Sequence, residues 1–464
     1  MQNKEIKFGT DGWRGIISDN FTFANVRKVA RAIAVYYNRL SGGKTAIAVG
    51  YDTRFLSDRY AAAAAEVLSD NGVDVVVSDR AVPTPTLSYA VKKRGFTAGV
   101  MITASHNPAA YNGIKIKTAA GGAAGVDVTS EVEKILEEPE QSSGGAKGKI
   151  EEADFTGDYI SFLRKYVDLK LLKKKKFRVL MDSMHGSGNG FIADVLKGTA
   201  VELKFLRGEV NPSFGGLRPE PVLENLLGTQ KFIKQGKFDL GLVLDGDADR
   251  IAAFAGSGEF IIPQKVLGLL VLHLIQDCGM SGGVVKTIVG TNLMDNICSS
   301  LNLKLYETPV GFKYISELML KEDILVGGEE AGGMGFKNYI PERDGTLAGL
   351  LLLEMMACRK KNMLAILREM ETEYGRYYYL RDDMKLESGL NVDVMRFKST
   401  GSLCGRKVTR AKDYDGLKLI CDDGSWLMFR GSGTEPIMRI YAESKSLKRS
   451  KELLAEGRRM ILSK

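Results

Sequence analysis

Along the first third of the chain, apolar residues recur at two spacings. Phe23, Val26, Val29, Ala30, Ile33, Ala34 and Tyr37 fall three or four apart, which predicts a helix. The short apolar runs Thr45–Tyr51, Val73–Ser78 and Gly99–Thr103 predict buried strands, and Ser57 stands where it would cap a helix running to about Asn71 and Gly72. Strands alternating with helices in this way predict parallel βαβ units, hence an α/β fold. The Ser/Gly/Lys-rich stretch Ser142–Lys149 reads as a linker, after which the pattern restarts. Its second pass has a strand at Phe177–Asp182, a turn at Gly186–Gly190, a helix, and strands at Val201–Phe205 and Asp239–Leu244. A third pass has a helix at Gln264–Gln276, strands at Val284–Val289 and Ile324–Val326, and a helix at Thr346–Cys358. From about Thr372 the pattern changes. Strands at Tyr377–Leu380, Lys418–Cys421 and Trp426–Arg430, then a long charged helix from Leu447, predict a separate α+β module. The three α/β passes share their size and order of elements, as structural repeats would.

Composition narrows the function classes. A chain of 464 residues holds three or four domains at roughly 100–200 residues each. No apolar run reaches the ~18–20 residues that span a bilayer; Leu347–Met356, broken by Glu354, reads as a buried helix. The polar start, Met1–Lys7, lacks the apolar core of a signal peptide, so a cytoplasmic location and no membrane partner are expected. Cys278, Cys298, Cys358, Cys404 and Cys421 show no C-x-x-C spacing and read as reduced, mostly buried thiols, with neither a disulfide framework nor a zinc site. The formal charge of +8 suits anionic partners. Its one dense run, Lys173–Lys176, reads as a solvated turn, and no nucleic-acid motif accompanies it, so small anions are the expected ligands.

Four segments carry chemistry. Thr103–Pro108 follows an apolar strand and places Ser105 on a loop where open α/β sheets bind ligands; a turn with serine as helix cap accounts for the same residues. No G-x-S-x-G surrounds it, so a hydrolase elbow is excluded. Asp245, Asp247 and Asp249 also follow a strand, and three carboxylates at this spacing converge only around a hard cation such as Mg²⁺. An EF-hand is excluded by Arg250 and Gly256 at the positions that need glycine and glutamate. Arg430, Ser432, Gly433 and Thr434, with Arg439 beyond, offer the guanidinium, hydroxyl and backbone N–H groups that a phosphate takes. Gly327–Gly333 sets Glu329 and Glu330 among glycines, able to accept hydrogen bonds from sugar hydroxyls, although a plain glycine turn reads the same way. Walker A and G-x-G-x-x-G templates fail at Asn38 and Phe191, which disfavours a kinase or a nicotinamide enzyme.

With Phe8–Gly15 at the front, these segments, in this order and at these separations over essentially the whole chain, resemble the α-D-phosphohexomutases, the family of phosphoglucomutase and phosphomannomutase. The resemblance implies three related α/β domains with mixed sheets plus a C-terminal TBP-like α+β domain around a central cleft. These divide as 1–145 with the phosphoserine loop, 146–256 with the metal loop, 257–371 with the sugar loop and 372–464 with the phosphate loop. It implies that Ser105 carries the phosphoryl group and joins Asp245, Asp247 and Asp249 around Mg²⁺. Arg14 and Lys115 match positions beside the reacting phosphate, with Lys115 suited to acid–base work; His106 and Arg250 line the same site. Glu329 matches a sugar contact, Arg430, Ser432, Gly433, Thr434 and Arg439 the distal phosphate site, and Lys286 and Gly311 further substrate-side positions. The implied reaction interconverts hexose 1- and 6-phosphates through a hexose 1,6-bisphosphate, with glucose 1,6-bisphosphate as activator, in a monomer or homodimer. Ala331 stands where many members have serine, and Gly333 where phosphoglucosamine mutases have histidine. The first removes a hydroxyl contact; the second disfavours glucosamine phosphate, which leaves glucose or mannose phosphates, glucose slightly favoured. A phosphoglucosamine mutase, a strict phosphomannomutase, or a non-catalytic sugar-phosphate sensor on the same fold are the alternatives.

Overall fold

The structure, a computed structural model, describes residues 6–9, 11–42, 44–139, 146–386, 392–431 and 437–463. The predicted apolar stripe of the first helix is buried in Phe23–Ser41, which opens on the Thr22 hydroxyl accepting the Asn25 amide N–H and closes on Gly42 in the left-handed region. The next helix, Ser57–Asp70, is not capped by Ser57. Leu56 precedes it at φ 60°, and the Ser57 hydroxyl donates instead to Asp52 Oδ1 at 2.8 Å, a bond that serves the active loop.

The first sheet runs, edge to edge, Trp13–Ile16, Tyr111–Thr118, Ala98–Ile102, Ala46–Tyr51, Asp74–Ser78 and Ile150–Ala153. Its centre is parallel, as the βαβ pattern requires, but Tyr111–Thr118 pairs antiparallel with both its neighbours. That strand escaped the hydrophobic reading because it buries Lys115 and Lys117. Ile150–Ala153 pairs with Asp74–Ser78, so the first sheet extends past residue 145.

The second sheet orders Phe260–Ile261, Ile251–Ala255, Leu240–Leu244, Phe177–Asp182 and Val201–Leu206, and likewise extends past residue 256. The third orders Leu305–Thr308, Gly283–Thr287, Ile324–Gly328 and Met334–Phe336. Both are mixed, each with an antiparallel return after the loop that carries the chemistry. Their shared core centres on Gly345–Arg359, buried from Gly345 to Ala357, which accounts for the run around Leu347–Met356. The fourth unit is an antiparallel sheet from Tyr378–Lys385 to Ser402–Leu403 with the helix Leu447–Leu462 packed on it, the C-terminal α+β domain of the expected fold. Its junction with the third is Gly375, at φ 98° after the helix Met363–Tyr374.

All five cysteines are free, but only Cys298 and Cys421 are buried; Cys278 and Cys404 are exposed. No helix among the described residues is long and apolar enough to cross a membrane.

Candidate active site

Ser105 lies just beyond the strand Ala98–Ile102 and is 1% exposed. Its φ of 51° is unusual for a residue with a side chain and costs about 1–3 kcal/mol unless the surroundings impose it. They do. The Ser105 amide N–H donates to Thr103 Oγ1 at 2.9 Å, and its carbonyl accepts from Arg54 Nη2 at 2.6 Å. The same guanidinium also donates to the carbonyls of Asn107 (2.7 Å), Pro108 (2.9 Å) and Tyr111 (3.0 Å), so one side chain braces the whole turn. Arg54 is 3% exposed, ion-pairs with Asp52 at 3.3 Å, and has its guanidinium carbon 4.8 Å from the ring centroid of Phe214, which belongs to the second unit. Asp52 in turn accepts from Thr103 Oγ1 at 2.6 Å. No local pattern in the chain singled out Asp52 or Arg54, because their partners are backbone carbonyls and residues about fifty positions away. An ammonium cannot serve four carbonyls from one plane. Arg54→Lys is therefore expected to lower kcat about 100-fold, with KM changed far less, since the loop is misplaced and not deleted. Steady-state kinetics separates the two; a proportionate loss in KM alone would count against this positioning role.

Asp245, Asp247 and Asp249 are fully buried, with one ligand oxygen from each all within 4.8 Å of one another. Asp245 Oδ2 accepts the Ser105 hydroxyl at 2.8 Å, and Asp245 Oδ1 accepts the Arg250 amide at 3.1 Å. Asp247 Oδ2 accepts from Thr84 at 2.5 Å and Lys115 at 2.8 Å; Asp249 Oδ2 accepts from Lys115 at 2.9 Å. Asp247 Oδ1 and Asp249 Oδ1 are buried and accept no hydrogen bond among the described residues. Buried carboxylate oxygens without a donor are costly. A hard dication with oxygen ligands removes that cost, so the donor set fits Mg²⁺. Burial, with Asp249 and Asp247 beside it, pushes the Asp245 carboxyl well above the usual range, the penalty such a cation would relieve.

Lys115 enters this cluster from the strand Tyr111–Thr118 and lies 2.9 Å from Asp11 Oδ2 as well. Burial alone would lower its pKa, but Asp11, Asp247 and Asp249 raise it, so it stands as an ammonium. Arg343 closes the other side. It pairs with Asp11, with Asp249 Oδ2 at 2.7 Å and with Glu329 Oε2 at 3.2 Å, joining the first unit, the loop 245–250 and the loop 327–333 through one guanidinium. Asp11 is held well below the usual carboxylate range: burial opposes this, and Arg343, Lys115 and Lys117 outweigh it. Arg343 lay outside every motif read from the chain. Asp11 lay inside Phe8–Gly15 without an assigned part, and Thr10 of that motif falls outside the described residues.

The remaining sites divide. Arg14 donates to Asn107 Oδ1 at 2.6 Å, on the Ser105 loop. His106 Nδ1 is 3.4 Å from Ser105 Oγ, and burial, reinforced by Arg250, Arg14 and Lys115, keeps the imidazole neutral. Arg250 Nε is 3.8 Å from Asp249 Oδ1. Gly311, at φ 131°, opens the helix Phe312–Lys321; beside it the Val310 amide donates at 2.7 Å to Asp415, which also holds Arg430 Nε at 3.0 Å. Arg430 and Arg439 are register partners on adjacent strands, and like charges so placed repel unless an anion lies between them. Ser432, Gly433 and Thr434 lie outside the described residues. Lys286 departs from expectation. Its ammonium pairs with Asp295 and lies 3.9 Å from Glu307, lining a cavity of about 280 Å³ between the third and fourth units, while its neighbour Thr287 donates to Glu330 at 3.1 Å. Side chains alternate along a strand, so Thr287, and not Lys286, faces Glu330.

Sequence profiles described as phosphoglucomutase/phosphomannomutase alpha/beta/alpha domains I, II and III match residues 5–143, 157–258 and 263–374. A phosphoglucomutase/phosphomannomutase of Thermococcus kodakarensis is 30% identical over 456 residues, 98% of each chain. A phosphoglucosamine/phosphogalactosamine mutase of Sulfurisphaera tokodaii is 31% identical over 98% of this chain and 99% of its own. Further archaeal relatives at 30–32% identity carry provisional phosphoglucosamine mutase names. The crystal structure of a Thermus thermophilus protein, provisionally named a phosphomannomutase, superposes with a TM-score of 0.89 at 34% identity, over 100% of both chains.

Proposed function

The chain belongs to the phosphoglucomutase/phosphomannomutase family of α-D-phosphohexomutases, intramolecular phosphotransferases that work through a serine phosphoenzyme and a hexose bisphosphate, and from this premise we propose that Ser105 is the serine and a glucosamine phosphate the preferred sugar. The observation that carries the first part is the 2.8 Å hydrogen bond from Ser105 Oγ to Asp245, which sets the hydroxyl of one unit on the triple-aspartate loop of the next. The domain division proposed is that of the sequence, with the first and second sheets borrowing the strands just beyond residues 145 and 256.

In the first half-reaction the bond between Ser105 Oγ and phosphorus breaks while a sugar hydroxyl oxygen takes the phosphoryl group. The departing serine oxygen needs a proton and the attacking hydroxyl must lose one. Lys115, an ammonium 2.8–2.9 Å from Asp11, Asp247 and Asp249, relays the proton: it gives one to the serine oxygen and takes the one that the sugar hydroxyl loses, while neutral His106 lines the site beside Ser105 Oγ. Mg²⁺, held by Asp245, Asp247 and Asp249, would supply positive charge against the phosphoryl oxygens. Arg430 and Arg439 take the distal phosphate, and the bisphosphate then turns end over end so that the other phosphoryl returns to Ser105. Glucose 1,6-bisphosphate primes a dephosphorylated serine by the same route.

The sugar preference rests on two supports. Most of the relatives described above carry phosphoglucosamine names. In addition Glu330, partly exposed on the sugar loop and bonded only to the Thr287 hydroxyl among the described residues, offers a carboxylate to an ammonium at C2. The missing histidine at Gly333 has a packing cause. A Cβ there would lie 2.2 Å from Arg343 Cδ and 3.1 Å from Glu329 Oε2. Glucose and mannose phosphates are the second reading, favoured by the Thermococcus and Thermus names.

The test is turnover of glucosamine, glucose and mannose 1-phosphates with Mg²⁺ and catalytic glucose 1,6-bisphosphate. Glucosamine 1-phosphate is expected to show the highest kcat/KM, and Glu330→Gln to lower it about tenfold while sparing glucose 1-phosphate, the loss of one charged hydrogen bond. Equal losses on both sugars would remove Glu330 from the ammonium site, and a higher kcat/KM on glucose or mannose phosphate would reverse the ranking.

A further inference from the structure

In the third unit, two segments bring together residues that the mutase chemistry does not use. The helix Pro263–Leu272 continues into a single wide turn, His273–Asp277, of the π type that often marks functional sites. It sets His273 Nε2 3.6 Å from Cys278 Sγ and 3.7 Å from Glu354 Oε2, on the helix Gly345–Arg359. One ligand atom from each of the three lies within 4.8 Å of the others. Tetrahedral zinc with bonds of about 2.0–2.3 Å separates its nitrogen, oxygen and sulfur ligands by about 3.3–3.7 Å, so two of the three edges already match.

The surroundings are those of a built site. Glu354 is 7% exposed; its Oε1 accepts the Asp168 amide N–H at 3.1 Å, while Oε2, on the side of His273, is buried and accepts no hydrogen bond among the described residues. The other ring nitrogen, His273 Nδ1, is 2.9 Å from Asp277 Oδ2, and Asp277 is held by Arg359 Nε at 2.8 Å. A carboxylate behind a ligating imidazole is the outer-shell arrangement that orients metal-bound histidines. Cys278 is exposed, which leaves an entry from solvent.

We propose that His273, Cys278 and Glu354, with solvent at the open fourth position, bind a borderline transition-metal dication, Zn²⁺ foremost, at a second metal site separate from the aspartate loop. Thiolate and imidazole select such an ion over Mg²⁺, while the three aspartates prefer the hard one. This sets aside the sequence expectation of no zinc site: His273 and Cys278 lie five residues apart, but Glu354 comes from about eighty residues further on, so no short motif announces the set. An ion here would pin the π turn to the central helix and, through Asp168, to the segment that follows the helix Thr156–Tyr166.

The probe is Co²⁺ added to the reduced full-length protein with Mg²⁺ in excess to occupy the aspartate site. One equivalent is expected to raise a thiolate-to-cobalt charge-transfer band in the near ultraviolet, which Zn²⁺ then abolishes. Cys278→Ser, at an exposed position, should lose most of the band with unchanged circular dichroism and mutase rate, and Asp277→Asn should weaken binding by about 10–100-fold. No band in the wild type, or a band that survives Cys278→Ser, overturns the proposal.

Discussion

Ser105→Ala is expected to lower turnover of every hexose phosphate by about 10⁴–10⁶-fold, the range for removing a nucleophile from an otherwise intact site. Among the described residues, the hydroxyls beside it are committed elsewhere. Thr103 Oγ1 is committed to Asp52 and Thr84 to Asp247. The turn itself should survive, because Arg54 holds it through carbonyl oxygens that alanine retains. Folding stability should therefore fall by no more than about 1–2 kcal/mol, from the lost hydrogen bond to Asp245 and the positive φ. The measurement is turnover with glucose 1,6-bisphosphate present, alongside transfer of labelled phosphate to protein. An alanine variant within tenfold of the wild-type rate would move the phosphoryl acceptor elsewhere.

The second large effect concerns Arg343. Its guanidinium compensates Asp11, Asp249 and Glu329 at once and lies against Glu342, all in a buried setting. Arg343→Ala should destabilise the protein by about 3–5 kcal/mol at neutral pH, the usual consequence of leaving buried charge unpaired. The pH dependence follows from Asp11, whose carboxyl is depressed in the folded state. Stability from a depressed carboxyl is present above its unfolded value, about 3.9, and is lost as pH falls through the folded value. The gap between variant and wild type should accordingly narrow as pH is lowered below about 4, and chemical denaturation at two pH values reads it. A gap that stays constant would place the cost in packing, since Arg343 also lies 5.5 Å from the centroid of Phe312. Catalysis should suffer more than stability, because the same side chain sets Glu329 and the Asp249 carboxylate.

These two residues mark how far the chain could be read. Ser105 was visible because it follows an apolar strand on a loop of unusual composition, and the three aspartates because their repulsion at close spacing demands a cation. Both signals are local. Arg343 is not: it is one arginine among many charged residues, and its importance arises from Asp11, Asp249 and Glu329 meeting it from three directions. Arg54 was equally silent, since what it grips is backbone. Lys286 shows the converse. A position matched by family resemblance was read as substrate-side, and the strand's two-residue alternation turned it toward Asp295 and left Thr287 facing the sugar loop.

Lys115 and its strand illustrate the physical reason for the division. Apolar periodicity marks elements whose burial is driven by the hydrophobic effect, and it located the helix Phe23–Ser41, the central parallel strands and the buried helix Gly345–Arg359. Tyr111–Thr118 buries two lysines, which is tolerable only because Asp11 of the same unit and Asp247, Asp249 and Glu342 of the others are brought to them. The chain by itself thus determined the α/β repeats and the separate C-terminal module, and marked Ser105 and the three aspartates as candidates, all signals carried by neighbours in sequence. The tertiary structure alone decided which buried charges pair, which strand end faces the cleft and how Ser105 is held, because electrostatic compensation depends on distance in space and leaves no period along the chain.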